Sequence, residues 1–391
     1  EALNTQNADV DNLNTAVGHQ TGKAITTGVQ NTLMGGLSGD ALTDADLNVA
    51  IGYASLTTDT LGSRSTAVGY QALENQNFTT ATNTYNVAVG YNAGVANTTG
   101  DTNTFIGGTA GQANTSGNNN TALGYAALFT NILSDRNVAI GNNALYTHNQ
   151  ATSIDSFNTA VGHDAGASVS TGIRNTLIGG VAGDSLGDAD DNVAVGCLAL
   201  TSDTLGNKST AVGRGALKTQ NFTTATDSHN TAVGYSAGED LETGAENTFV
   251  GALAGDATDD GASNTALGYA TLRANAGNDN TAVGANALAS CTGGTNTAVG
   301  YAAGLAISSG GNNLVLGKDA GRTGSPGGNI TTQSNNLFLG DENIDNAAIQ
   351  VDWSVASDQR DKTDFTDLDL GLDFVKALAP VTYKWDKRSK Y

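Results

Sequence analysis

The amino-acid sequence predicts an all-β protein, an elongated parallel β-solenoid (β-roll or β-helix) with turns of about 17 residues. The first observation is a strand-like pentapeptide of the type Asn-Thr-Ala-Val-Gly, which recurs nineteen times. The second is a composition of 51 glycines and 2 prolines in 391 residues, suited to a backbone that turns often yet keeps its N–H groups for a ladder. The pentapeptides begin at Asn14, Asn31, Asn48, Ser65, Asn86, Asn103, Asn120, Asn137, Asn158, Asn175, Asn192, Ser209, Asn230, Asn247, Asn264, Asn280, Asn296, Asn313 and Asn336.

Each pentapeptide predicts one short strand and the turn that follows it. Side chains alternate along a strand, so the second and fourth residues share one face and the other three share the opposite face. The fourth residue is aliphatic, as in Val17 and Met34, and we expect it to fill the interior. The third is mostly Ala, which suits close approach by another chain or by the opposite wall. The Gly allows a turn, and the Asn can either bond to the next turn or cap its own.

The residue after the Gly is Tyr in seven turns, but Arg214 or Lys318 in others, so we expect this position to be exposed. The tyrosines then form a ladder along the solenoid surface. Two roles remain open for it, packing on the rim and stacking against a ligand. The seven are Tyr53, Tyr70, Tyr91, Tyr125, Tyr235, Tyr269 and Tyr301.

A longer period of 72 residues is superimposed on the short one, and it appears in the steps from Asn14 to Asn86 and Asn158. Four residues after the strand Gly stands either Gly or Leu, in the order Gly, Gly, Leu, Leu over four turns. Every fourth turn also carries four extra residues. These lengthened turns are candidate binding loops, because loops on a rigid scaffold often carry function.

The candidate binding residues in two of these loops are Gln76, Asn77 and Phe78, and their counterparts Gln220, Asn221 and Phe222. We expect Phe78 and Phe222 to be displayed for contact with a receptor. The alternative is that both rings fold back over the solenoid.

The charge of the chain limits its partners. The net charge is −21 at pH 7, and all of it lies in residues 1–356. An acidic surface argues against a nucleic-acid partner and against an anionic membrane, and no apolar run is long enough to span a bilayer. We expect no membrane insertion and no nucleic acid among the partners.

Neither a cofactor nor a metal is predicted. The four histidines, His19, His148, His163 and His229, stand in separate turns and cannot share a metal within one chain. The acidic loops lack the pattern of calcium-binding solenoids, which favours solvated turns. Cys197 and Cys291 are too far apart in the repeat for a disulfide. No P-loop, nucleophile elbow or paired-carboxylate motif indicates a multiple-turnover enzyme.

A single solenoid with an Ala-rich core is weakly stabilised, by about 2 kcal/mol per turn before chain entropy is subtracted. Bundling several copies through the small-residue face would compensate. Residues 14–321 resemble the head repeats of trimeric autotransporter adhesins and the stalk repeats of phage tail fibres. The resemblance implies a homotrimeric β-roll or β-helix.

Residues 357–391 follow a different pattern. Leu368, Leu372, Val375 and Leu378 recur at helical spacing, and Pro380 ends the predicted helix before a short strand. We therefore expect a short α+β segment at this end of the chain.

The motif Ser-Asp-x-Arg-x-Lys in this segment resembles the start of the endosialidase-type intramolecular chaperone of phage tail spikes and fibres. The resemblance implies a domain that trimerises the fibre, assists its folding and then cuts itself away. It implies Ser357 as nucleophile, Lys362 as base and a scissile bond between Ala356 and Ser357. On the residues alone, Ser357 and Asp358 could equally cap a helix while Lys362 is solvated.

The predicted domains are an N-terminal lead-in (1–13), the solenoid shaft (14–322), irregular last turns and a linker (323–356), and the N-terminal part of the chaperone (357–391). The predicted function is a structural shaft for attachment to a host cell surface, most simply a phage tail fibre located in the virion tail. Its partners would be two further copies of itself and a host receptor, such as a glycan. The alternative is a bacterial surface adhesin or extracellular filament subunit that carries the same chaperone. Enzymatic activity would be limited to a single self-cleavage before Ser357.

Overall fold

A computed structural model describes residues 1–6, 11–325 and 327–346 of the chain. The chain divides into two units, Glu1–Ile344 and Asp345–Tyr391. Within the described residues the first unit consists of strands joined by turns, without a helix, and forms a parallel β-solenoid of about 17 residues per turn. The predicted all-β solenoid is therefore confirmed. The predicted α+β segment lies outside the described residues.

The main sheet runs the length of the solenoid. Each of its strands covers the second to fourth residues of one pentapeptide. Within the described residues these strands are β1 (Thr15–Val17), β2 (Thr32–Met34), β3 (Val49–Ile51), β5 (Thr66–Val68), β7 (Val87–Val89), β8 (Thr104–Ile106), β9 (Thr121–Leu123), β10 (Val138–Ile140), β11 (Thr159–Val161), β12 (Thr176–Ile178), β13 (Val193–Val195), β15 (Thr210–Val212), β17 (Thr231–Val233), β18 (Thr248–Val250), β19 (Thr265–Leu267), β20 (Thr281–Val283), β21 (Thr297–Val299), β22 (Leu314–Leu316) and β23 (Leu337–Leu339).

Successive strands of this sheet pair in parallel and in register. Ala16 of β1 lies beside Leu33 of β2, which in turn lies beside Ala50 of β3. Two smaller parallel pairs form at the lengthened turns, β4 (Gly62–Ser63) with β6 (Thr82–Asn83) and β14 (Gly206–Asn207) with β16 (Thr226–Asp227). Equivalent residues of all turns therefore form continuous rows along the solenoid.

The interior is filled by the third residue of the pentapeptide. Leu33 and Ala50 are fully buried, whereas Val17 and Met34 are 54% and 47% exposed. The prediction that the fourth position fills the interior is wrong, because the alternation of the strand has the opposite phase. The prediction that copies of the chain pack through the small third residues is wrong for the same reason. Buried leucines from the facing wall leave room only for Ala on most strands.

The order Gly, Gly, Leu, Leu compensates for the size of the third residue. A Cβ atom on Gly22 or Gly39 would lie 2.8 Å or 3.0 Å from the δ-carbons of Leu33. Where the third residue is Ala both in the same turn and in the next one, a buried Leu such as Leu56 takes the place of the Gly. Leu56 has φ of 52° and Gly22 has φ of 58°, so the backbone is the same and space decides between the two residues.

The Asn of the pentapeptide can make both of the hydrogen bonds that the sequence allows, as Asn31 does. The Asn31 backbone N–H donates to Asn14 Oδ1 at 2.8 Å, and Asn48 donates to Asn31 Oδ1 at 2.9 Å, which joins successive turns. Asn31 Nδ2 also donates to the carbonyl of Ala45 at 2.8 Å, which closes its own turn. The Asn31 amide is thus satisfied, and bonds of this kind hold the turns in register. Among the described residues, Nδ2 of the buried Asn264 is an exception without a hydrogen-bond partner.

The strand Gly is required by a close approach between turns. Gly52 has φ of 140°, and a Cβ atom on it would lie 2.2 Å from the carbonyl oxygen of Gly69. An L-residue would clash with the backbone of the next turn, which a rotamer change cannot relieve.

Candidate functional site

The outward face of the main sheet carries a row of aliphatic side chains beside a row of mostly Thr side chains. We call it the outer sheet face, meaning the second and fourth residues of each pentapeptide. Its fourth-position side chains are partly or largely exposed, and the largest exposed fractions reach about half of the side chain. The most exposed are Val17, Met34, Leu123, Ile178, Val233, Leu267, Val299 and Leu339. A continuous row of this kind is typical of a surface that another protein covers.

The tyrosine ladder is exposed, as predicted. Tyr70 stacks on Tyr53 and on Tyr91, with ring centroids 5.6 Å and 5.4 Å apart. All three keep about half of their surface in solvent. The rings thus pack on each other along the solenoid and still present area to a partner.

The lengthened turns do not display their phenylalanines. Phe78 and Phe222 are only 8% and 7% exposed, and Gln76 and Gln220 are fully buried. The prediction of displayed rings is therefore wrong, and the rings fold back over the solenoid. Asn221 is exposed and Asn77 is half-buried.

A buried polar network causes the lengthened turns to fold inward. Gln220 Nε2 donates to Asp203 Oδ2 at 2.6 Å and to Ser209 Oγ at 2.9 Å, while Asn230 Nδ2 donates to Gln220 Oε1 at 2.9 Å. The Phe222 backbone N–H donates to Asp203 Oδ1 at 3.1 Å. Burial raises the pKa of the Asp203 carboxyl, and the hydrogen bonds from Gln220 and the Phe222 backbone oppose that rise.

The same network recurs one 144-residue block earlier in the sequence, around Asp59 and Gln76. Gln76 Nε2 donates to Asp59 Oδ2 at 2.6 Å and to Ser65 Oγ at 2.9 Å. Ser65 and Ser209 stand at the pentapeptide position that is Asn in the other turns. At each of them the buried Gln supplies the amide that the Ser lacks. Sequence reasoning missed this link, although Ser, Asp and Gln occur together in both copies.

The third lengthened turn has His148 where the others have Gln. His148 is fully buried at the end of a polar column formed by Asn97, Asn114 and Asn131. Among the described residues, neither imidazole nitrogen has an atom in hydrogen-bond geometry. Burial lowers the pKa of His148 to about 4, and the nearby Ser170 backbone opposes this more weakly. This histidine is a neutral core group at physiological pH.

An aromatic groove lies beside this turn. Phe129 and Tyr146 stack with ring centroids 5.0 Å apart, and Tyr125 is 62% exposed. Asn143 Nδ2 donates to Asp164 Oδ1 at 3.0 Å on the same groove. We call this the Tyr125 groove. It has a volume of about 330 Å³ and is lined by Tyr125, Ala126, Phe129, Asn143, Tyr146, Asp164 and Ala167.

The remaining predictions concern the cysteines, metal binding, membrane insertion and the cleavage site. Cys197 is exposed and Cys291 is buried, and both are free thiols. In the described part of the chain no three His, Cys, Asp or Glu side chains cluster as metal ligands would. No helix among the described residues is long and apolar enough to cross a membrane. Ser357, Lys362 and the Ala356–Ser357 bond lie outside the described residues.

Comparison with known proteins places one similarity at the C-terminal end. A family model described as chaperone of endosialidase matches residues 357–390, which include the Ser357 and Lys362 motif. No curated protein shows significant similarity to the chain. A long β-solenoid followed by such a segment fits a tail-fibre or endosialidase-type protein, and it indicates a fibre-like structural role.

Proposed function

We propose that the chain forms the shaft of a homotrimeric phage tail fibre that attaches the virion to a host cell surface. The observation that carries this proposal is the in-register solenoid with an exposed aliphatic row, followed by a segment similar to the chaperone of endosialidase. The fibre is extracellular and located in the virion tail.

The three copies associate through the outer sheet face. Aliphatic side chains such as Met34 and Leu267 are each 47% exposed in one chain. Burying apolar area contributes roughly 25 cal/mol per Å² to the free energy of association. Each side chain of the row contributes little, but the contributions add up along the whole solenoid. A closed three-fold arrangement lets each chain present the same face to the common axis.

The C-terminal segment releases itself once. The Ser357 hydroxyl adds to the carbonyl carbon of Ala356 as its proton passes to the Lys362 amine. The amide C–N bond then breaks, the Ser357 nitrogen takes up a proton, and water hydrolyses the resulting ester to restore the hydroxyl. Lys362 must be neutral to accept this proton.

The location can be tested with antibodies raised against the solenoid. Immunogold electron microscopy should label the tails of virions, and the purified trimer should compete with virions for adsorption to host cells. Label confined to the surface of bacterial cells would overturn the fibre proposal. That result would favour the alternative, a bacterial adhesin or extracellular filament subunit with the same chaperone.

A further inference from the structure

The Tyr125 groove departs from the repeat in which it lies. Phe129 and Tyr146 follow the buried Leu of two successive turns. At the corresponding positions the first block has Thr57 and Glu74 and the later blocks have small or charged residues. The counterparts in the duplicated block are Arg273 and Ala289. The scaffold does not need an aromatic residue at either place.

The groove is also left open by the fold. Tyr125 keeps 62% of its surface in solvent, and the Phe129 and Tyr146 rings are half-buried. Ala126 and Ala167 contribute only methyl groups to the lining, which leaves a volume of about 330 Å³. That volume lies at the lower end of the range for small-ligand pockets and suits one or two sugar rings.

The lining combines apolar rings with hydrogen-bonding groups. Asp164 Oδ1 accepts from Asn143 Nδ2 at 3.0 Å, and Asp164 Oδ2 lies 3.0 Å from Nδ1 of the exposed His163. A carboxylate has lone pairs for further donors, which the hydroxyl groups of a sugar would supply. The C–H face of a pyranose is apolar and packs against aromatic rings. Anionic sugars would be repelled by Asp164 and by a chain of net charge −21.

We propose that the Tyr125 groove binds a neutral pyranose of a cell-surface glycan, with the aromatic rings under the sugar and Asp164 accepting from its hydroxyls. This inference rests on the proposed attachment function and names the site that serves it. In a trimer the groove would be present three times, so weak binding at one groove is multiplied by avidity.

The test uses the full chain and a panel of methyl glycosides of glucose, galactose, mannose and N-acetylglucosamine, with N-acetylneuraminic acid as the anionic comparison. Binding is measured by saturation-transfer NMR and by calorimetry. At least one neutral glycoside should bind in the millimolar range, and the anionic sugar should not. Absence of binding by every neutral glycoside, or preference for the anionic sugar, would overturn the inference.

Variants locate the site. Phe129→Thr with Tyr146→Ala introduces residues found at equivalent turns of this chain, so the fold should tolerate both changes. Affinity should fall at least tenfold in this variant and in Asp164→Asn. Tyr269→Ala, the counterpart of Tyr125 one block later, is the control and should bind as the unaltered chain does. Equal affinity in all variants would place any sugar site elsewhere.

Adsorption to host cells separates this inference from the proposed function. If the unaltered trimer binds host cells and the Phe129→Thr, Tyr146→Ala variant binds equally well, the groove is not the receptor site, although attachment stands. If the unaltered trimer does not bind host cells at all, the attachment function itself fails.

Discussion

Gly111 lies directly against the ring of Phe105, and a Cβ atom on Gly111 would be 2.4 Å from Phe105 Cδ1. The two residues belong to one turn and share one volume. In the next turn the same volume is divided between Ala122 and Leu128, both fully buried. The Gly or Leu of the facing wall is therefore matched to the third pentapeptide residue of its own turn and of the next turn.

This pairing predicts strong coupling between two substitutions. Phe105→Ala alone should reduce the free energy of unfolding by about 3–5 kcal/mol through a cavity. Gly111→Leu alone should cost about 1–3 kcal/mol or more through overpacking. The double variant restores the pairing seen at Ala122 and Leu128. Its loss in free energy of unfolding should therefore be smaller than the sum of the losses in the two single variants. A double-mutant cycle by urea denaturation measures this, and simple additivity would contradict the pairing.

The same substitution should destabilise the protein at one of two adjacent glycines and have no effect at the other. Gly179 has φ of 138°, and a Cβ atom on it would lie 2.6 Å from the carbonyl of Gly196, whereas a Cβ atom on Gly180 would meet nothing within 4 Å. Gly179→Ala should lower the melting temperature clearly and expose amides of β12 and β13 to hydrogen exchange. Gly180→Ala should leave the melting temperature and the hydrogen exchange unchanged, because it should alter the free energy of unfolding by no more than about 0.5 kcal/mol. Equal effects would show that the close approach between turns is unimportant.

His148 should make the solenoid sensitive to acid. Its pKa is lowered to about 4 in the folded chain from an ordinary value of 6.5, so below pH 6.5 the unfolded chain takes up a proton that the folded chain does not. Stability should fall by about 1.4 kcal/mol per pH unit between pH 6.5 and pH 4, and remain unaffected by this group above pH 6.5.

His148→Gln tests this sensitivity, because Gln76 and Gln220 occupy the equivalent positions. The variant should lose most of the dependence of its melting temperature on pH in this window. The matched control is His163→Gln, which removes an imidazole that is largely exposed. An unchanged pH dependence in His148→Gln would refute the assignment.

The outer sheet face should control association but not folding. Leu123→Glu with Leu267→Glu places carboxylates at side chains that are 42% and 47% exposed in one chain. Circular dichroism should be unchanged, while analytical ultracentrifugation should detect at least tenfold more monomer at micromolar concentration. Thr79→Glu with Thr223→Glu adds the same charge on exposed residues of the lengthened turns and should leave the proposed trimer intact. A trimer of full strength in the first variant would exclude this face.

Self-cleavage should depend on two side chains of the C-terminal segment. Ser357→Ala and Lys362→Ala should leave the full-length precursor on a denaturing gel, because the first lacks the nucleophile and the second lacks the base. Ser354→Ala, three residues earlier in the chain, is the control and should be processed normally. Normal processing of Ser357→Ala would remove the proposed dyad.

The sequence was sufficient to predict the solenoid, its turn length and the exposed tyrosines, because each depends on a period that the chain repeats many times. The phase of the strands could not be predicted with the same certainty. Both faces of Thr-Ala-Val are partly apolar, and size alone favours the larger Val for the interior. The signal that decides the phase is present in the sequence, since Leu33 and Phe105 occur where the same turn and the turn before it carry Gly.

The candidate sites were harder to predict because they are formed between turns. Phe129 and Tyr146 are 17 residues apart and become neighbours only through the solenoid register. Phe78 lies in a long loop, which favours display, yet its backbone N–H donates to the buried Asp59. Pattern reasoning detects rows of equivalent residues, whereas a buried network that crosses from one row to another needs coordinates.

The paired selection of large and small residues has a genetic consequence. Removing one of the two Gly turns of a unit would leave a Leu against a large third residue, or a Gly without the large residue that it accommodates. Removing a 72-residue unit would join matching ends. Unequal recombination within this gene should therefore yield viable length variants in steps of four turns, and related solenoids should differ in length by whole multiples of that unit.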